Sequence, residues 1–174
     1  MTRIQSPIAS LQSSTLLLMW LFLLSACSPA LLAAPAPEVD AQAPEFGLQN
    51  LQGETVRLSE LRGQVVLINF WATWCGPCRL EMPVIQQRFN DGGFAVLAVD
   101  FDETAEQVQA FVDELDLELP ILLDPGGNVQ ELYRIRGYPT TFFVDADGVI
   151  RILHVGEMSP EILDNYLAQM GVHN

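Results

Sequence analysis

Val65–Pro83 reads VVLINFWATWCGPCRLEMP. Its first seven residues form an uncharged, almost wholly apolar run ending at Trp71, the pattern of a strand covered on both faces. Gly76 then opens a helical segment to about Phe89, and Pro83 is predicted to kink it one turn beyond the cysteines. Cys75 and Cys78 stand at the joint, three positions apart. A turn at a helix start holds such sulfurs near bonding distance, so they close into a disulfide and reopen. The spacing points to dithiol–disulfide exchange; a static disulfide and half of a zinc site are the other readings. A zinc site needs further Cys or His, and the two histidines, His154 and His173, lack ligand spacing. No metal and no cofactor beyond the two thiols is expected.

Outward from this stretch, strands and helices alternate. Phe46–Leu58 reads as a hairpin turning near Gln52-Gly53, and Ser59–Arg62 as a helical turn stopped by Gly63. Phe94–Val99 is a second buried strand, after a turn at Asp91-Gly92-Gly93. Val108, Phe111, Val112 and Leu115 keep helical spacing over Thr104–Leu115, with Thr104 as N-cap and Gln107 as its capping-box partner. Leu119–Leu123 is a short strand, and Asp124-Pro125-Gly126-Gly127 turns into a helix over about Asn128–Tyr133. Thr141–Val144 and Val149–His154 pair through Asp147-Gly148. Ser159 caps a last helix over Pro160–Met170, with Gly171 past its end. This order predicts an α/β domain: a central mixed β-sheet flanked by helices on both faces.

The 174 residues include 22 acidic against 8 basic ones, a formal charge of −14, and every basic residue is arginine. Phosphate backbones would repel such a chain and no basic cluster offsets this, so no nucleic-acid partner is expected. Residues 15–24 form an apolar run after Arg3, with no acid before Glu38. It matches the hydrophobic region of a secretory signal. Leu24-Ser25-Ala26-Cys27 ends it and resembles the lipobox of bacterial lipoproteins. Residues 1–27 are then a signal peptide with its lipobox, cut before Cys27, whose thiol carries the lipid. Cleavage near Ala34, or an uncleaved anchor over residues 15–34, are the other readings. All three place the domain outside the cytoplasm. Ser28–Pro44, rich in Ala and Pro, reads as a tether, and residues 45–174 as one domain.

Val65–Pro83 together with Gly137-Tyr138-Pro139-Thr140-Thr141 resembles the thioredoxin-like proteins of the membrane-tethered TlpA/ResA type. Ser59–Gly63 and the Asp147-Gly148 hairpin fit as well, and the likeness runs from about Glu45 to the C-terminus. It implies a thioredoxin-like fold with an N-terminal β-hairpin and an inserted β-α element near Asp100–Pro120. It also implies an extracytoplasmic thiol–disulfide oxidoreductase; a monomer is expected. Gly76-Pro77 resembles the reducing members, so the expected role is that of a reductant. Its substrates would be cysteine-containing exported proteins, apocytochrome c and copper-site proteins among them, and a membrane electron donor would re-reduce it.

Within that frame, Cys75 is expected to attack, because unpaired N–H groups at a helix start favour a thiolate. Cys78, one turn in and more buried, is expected to resolve the mixed disulfide. Glu81 shares the helix face of Cys78 and is either the proton acceptor for that thiol or an ordinary helix-start carboxylate. Asn69 stands where thioredoxin has a buried Asp, and there is no Lys, so the usual acceptor is missing. Pro139 is expected to be cis, with Tyr138 pairing its main chain with an extended substrate or else covering the site. Trp74, Gly76 and Pro77 complete the expected substrate-contacting set. Trp71 should be packed, Trp74 exposed and Arg79 solvent-facing. Two other functions fit less well. A peroxiredoxin-like peroxide reductase expects Thr or Ser where Ala72 stands. A copper-delivery module expects CxxxC with a partner His.

Overall fold

The computed structural model describes residues 37–173. The apolar run, Cys27 and the tether up to Ala36 lie outside these residues. At the centre is β3 (Val66–Trp71), whose side chains are all buried. It runs parallel to β4 (Ala95–Phe101) and antiparallel to β6 (Thr140–Val144). With β1 (Gly47–Asn50), β2 (Thr55–Arg57), β5 (Ile121–Asp124) and β7 (Ile150–Val155) it forms a seven-stranded sheet in the order β2-β1-β5-β4-β3-β6-β7. β4 and β5 are also parallel, while the β1–β2, β1–β5 and β6–β7 pairs are antiparallel, so the sheet is mixed.

Among the described residues four α-helices cover it: α1 (Gly76–Asp91), α2 (Ala105–Leu115), α3 (Asn128–Leu132) and α4 (Pro160–Gln169). Alternation along β3 divides the core into two layers. Leu67 and Trp71 face α1, α2 and α4 through Met82, Ile85, Phe111 and Leu163. Val66, Ile68 and Phe70 face the other way, onto Val129, Tyr133 and Phe46. There Phe70, Tyr133 and Phe142 pack ring against ring at 5.1 to 5.9 Å. Each such buried ring stabilises the fold by about 1.5–3 kcal/mol.

Local chemistry sets the ends. Thr104 Oγ1 accepts from Gln107 N, and Thr104 N donates to Gln107 Oε1 at 3.0 Å, which completes the expected capping box. Ser159 caps α4 through Ile162 N. Gly148 turns β6 into β7 at a φ of +77°, with the Arg62 guanidinium where a Cβ would fall. α1 continues past Pro83 to Asp91, two residues beyond its expected end. The expected insertion provides α2, and β5 follows it between β1 and β4.

One boundary moves. The tether was expected to reach Pro44, but residues 40–44 are built into the domain. Asp40 N donates to Ile150 O at 2.8 Å, Ala43 N to Gly148 O at 2.9 Å, and Tyr133 Oη to Pro44 O at 2.7 Å. Ala43 is buried there. Composition alone does not foresee that these backbone groups find partners more than 85 positions away. Among the described residues no helix is long and apolar enough to cross a membrane.

Candidate active site

β3 ends at Trp71 and α1 begins at Gly76, so Cys75 falls on the loop at the C-terminal end of a central strand. Cys75 is the N-cap of α1: its backbone is extended, and its Sγ accepts from Cys78 N at 3.2 Å. Cys75 and Cys78 are joined as a disulfide, with Cα atoms 5.3 Å apart. Cys75 is 5 % exposed and Cys78 1 %, the order expected. Pro77 occupies the first turn, where a missing N–H costs nothing. Gly76 and Pro77 are exposed, and Trp74 is 64 % exposed. Trp71, by contrast, is fully buried against Phe111. Leu80, two positions past Cys78, is also exposed. Its only signal in the sequence is an apolar residue off the buried face of α1.

The second wall is the loop between α3 and β6. The Tyr138–Pro139 bond is cis, as expected. Tyr138 sets its ring edge-on to Trp74 at 5.5 Å and against Phe101 at 5.7 Å, and its hydroxyl meets Gln130 Oε1. Burial first, then the charges of Asp100 and Asp124, push the phenol up to about 12, so it stays a neutral donor.

Behind the disulfide lies Glu81, 1 % exposed and one helical turn past Cys78. Asn69 Nδ2 donates to Glu81 Oε1 at 3.3 Å and to Thr141 Oγ1 at 2.9 Å. Thus Asn69, where the usual acid is missing, holds the acid supplied by α1. Glu81 Oε2 and Asn69 Oδ1 are both buried without a partner. Burial pushes Glu81 up to about 8, the Met158 backbone opposing, the Glu157 charge assisting and the Thr141 hydroxyl opposing. The carboxyl is therefore mostly protonated at neutral pH. Its titration lies close to that of a free thiol, about 8.5.

A second acidic cluster braces the loop before Cys75. Glu103 accepts from Thr73 N at 2.6 Å and also meets Thr73 Oγ1; its own N–H donates to Asp100 Oδ2 at 3.2 Å. Asp100 is fully buried beside Trp71 in the β3–β4 register. Burial, then the hydrogen bond and charge of Glu103, push its carboxyl up to about 8. Such a group binds its proton more tightly in the folded state, so stability falls as pH rises from 3.8 toward 8. Asp100→Asn is expected to remove that fall. The urea midpoint of the variant should exceed that of the parent by a margin that grows from pH 5 to pH 9; a constant margin would contradict this. Neither acid was foreseen, because the cluster exists only once β4 lies beside β3.

The Arg79 side chain faces solvent, 40 % exposed, as expected, and is also tied to α2, in a two-pronged ion pair with Glu114 at 2.9 and 3.0 Å and over the Phe111 ring at 4.9 Å. The α1–α2 packing supplies both partners.

A dithiol–disulfide pair at a helix start, walled by a cis-proline loop and backed by a buried carboxyl on a mixed sheet, defines a thioredoxin-like thiol–disulfide oxidoreductase. The chain belongs to the AhpC/TSA family, whose model matches residues 39–153, and within it is of the TlpA/ResA type. It is 44 % identical over 132 residues to the thioredoxin-like protein YneN of Bacillus subtilis, covering 72 % of this chain and 76 % of that one. It is 35 % identical over 136 residues to the thiol-disulfide oxidoreductase ResA of Bacillus thuringiensis, covering 76 % and 79 %. Among solved structures, it superposes on the exposed lipoprotein thioredoxin Etrx1 of Streptococcus pneumoniae with a TM-score of 0.64. That pair is 31 % identical, over 72 % of this chain and 98 % of the other.

Proposed function

We propose that the protein is an extracytoplasmic reductant of disulfides in exported proteins, held at the membrane through Cys27. The supporting observation is the graded burial at the start of α1: exposed Gly76 and Pro77, a nearly covered Cys75, then Cys78 and Glu81 fully inside. Cys75, as thiolate, attacks one sulfur of the substrate disulfide. A new S–S bond forms, and the other substrate sulfur leaves as a thiolate and takes a proton from water. Cys78 passes its proton to Glu81, which the preceding reduction left ionised, and attacks Cys75 Sγ, which expels the second substrate sulfur as a thiolate that takes a proton from water. Two electrons move to the substrate, and the Cys75–Cys78 disulfide is left behind. Its return to the dithiol requires a two-electron donor at the membrane. When that donor opens the bond, protonated Glu81 returns the proton to Cys78. Trp74, Gly76, Pro77, Tyr138 and Pro139 form the surface against which the substrate lies. The disulfide formed between paired apocytochrome c cysteines is one substrate of fitting chemistry.

The reading is tested by three assays on one preparation. Reduction of insulin disulfides with dithiothreitol as donor should be accelerated well above the uncatalysed rate. Peroxide consumption and copper binding should stay at background. Peroxide turnover with silent insulin reduction would overturn the proposal, and buried Ala72 is the reason to expect otherwise.

A further inference from the structure

β7 lies at one margin of the sheet. A bare strand edge offers its N–H and C=O groups to another chain, and folded proteins blunt it. Here only the start is blunted: Asp40 N donates to Ile150 O at 2.8 Å, and Ile150 N to Ala41 O at 2.9 Å. Further along, Leu153 stands opposite Phe142 and Val155 opposite Thr140, and Gly156 N donates to Pro139 O at 2.9 Å. In an antiparallel ladder this register turns Ile152, His154 and Gly156 toward β6 and leaves the backbone groups of Leu153 and Val155 facing outward. No described residue pairs with them.

The same two side chains line a groove of about 360 Å³. Both are exposed, Val155 at 69 %. Phe142, Tyr133 and Ile135 make the groove apolar, and Gly137 and Thr140, which flank the cis-proline pair, connect it to the wall of the active site. Arg134 and Arg136 also line it. Four other arginines are engaged: Arg79, Arg88 and Arg151 in ion pairs, Arg62 on the Asp147 carbonyl; Arg57 lies away from the groove, against Gly47. The guanidiniums of Arg134 and Arg136 have no ion-pair or hydrogen-bond partner among the described residues, and residues 1–36 contain no acid. Arg134 moreover sits at a φ of +55°, where the described residues are otherwise Gly or Asp, a conformation uphill for a long side chain. Glu38 is the one acid along the groove.

We infer that this groove and the free half of β7 hold an extended apolar segment of the substrate protein, flanked by carboxylates and added to the sheet as an edge strand. A chain of net charge −14 repels an acidic segment elsewhere, so two unpaired guanidiniums beside an apolar floor give that segment a preferred register. The flanking cis-proline loop carries the occupant on toward Trp74 and Cys75. The inference rests on the protein-reductase reading above and names which substrates it favours.

The test uses the full-length chain in detergent and synthetic peptides with a leucine–valine core flanked by glutamates or by lysines. Each is made linear without cysteine for anisotropy, and with an added disulfide for turnover. The glutamate peptide should bind at least tenfold more tightly than the lysine peptide, with a KM lower by the same factor and kcat alike. R134E/R136E should reverse the preference and leave reduction of the small disulfide 5,5′-dithiobis(2-nitrobenzoate) unchanged. Equal binding of the two peptides, or a preference untouched by the double substitution, would overturn the inference. So would selective flotation with phosphatidylglycerol vesicles that the double variant loses while peptide binding is unaffected, for the arginines would then serve a lipid surface. Selective peptide binding without reduction of the small disulfide would support the groove and sink the redox reading instead.

Discussion

Cys78→Ser is expected to stall the protein on its substrate. Cys75 would still attack, but no second thiol stands behind it to release the mixed disulfide. Covalent adducts should accumulate on non-reducing gels, vanish with dithiothreitol and yield partner peptides by mass spectrometry. Steady-state insulin reduction should fall by about a thousandfold, since two groups acting as a unit lose nearly everything when one is removed. Cys75→Ser should lose as much activity and give no adduct. The asymmetry follows from burial: Cys75 is 5 % exposed beside exposed Gly76 and Pro77, whereas Cys78 is 1 % exposed. Adducts that form through Cys78 in the Cys75 variant would reverse the assigned roles.

Glu81→Gln is expected to separate catalysis from stability in opposite directions. Glutamine keeps the bond to Asn69 but neither takes nor gives a proton. Insulin reduction at pH 7 should therefore slow by roughly 10²-fold, the usual scale for a lost general acid or base. Folding should respond the other way. The native carboxyl titrates at about 8 against 4.5 for the free group. The native state thus binds the proton more tightly, and its stability is lost as pH rises between those values. The variant escapes that loss and should gain a few kcal/mol over the parent at pH 9 but little at pH 4, read by urea unfolding. Equal exchange rates would reduce Glu81 to a structural carboxyl. An equal stability difference at both pH values would deny the raised titration.

What the sequence disclosed was local. The Thr104–Gln107 box, the Ser159–Pro160 cap and the Asp147-Gly148 hairpin each reside in a few adjacent residues, and all are found where predicted. Cys75, Cys78 and Glu81 were legible for the same reason, since helical spacing fixes a common face. The setting of Glu81 was not. Its partner Asn69 lies 12 positions away and the Thr141 hydroxyl a further strand over. Only the β3–β6 register, with Asn69 opposite Thr141, brings them under one helix. Glu103 on Thr73, Arg79 on Glu114 and Tyr133 on Pro44 depend likewise on which elements become neighbours. The alternation of strands and helices supplied the mixed sheet, and the resemblance to the TlpA/ResA type supplied the cis bond at Pro139, which no local pattern contains.

The central claim is that Cys75 and Cys78 interconvert between disulfide and dithiol. The most direct measurement is equilibration across a range of reduced to oxidised dithiothreitol, followed by alkylation and mass spectrometry of the intact chain. The expected result is a single two-electron transition: both cysteines gain a tag together, Cys75 the faster, and Trp74 fluorescence follows the same curve in both directions. Sulfurs that stay bonded at every ratio, or tags that appear one at a time without a reversible midpoint, would contradict it.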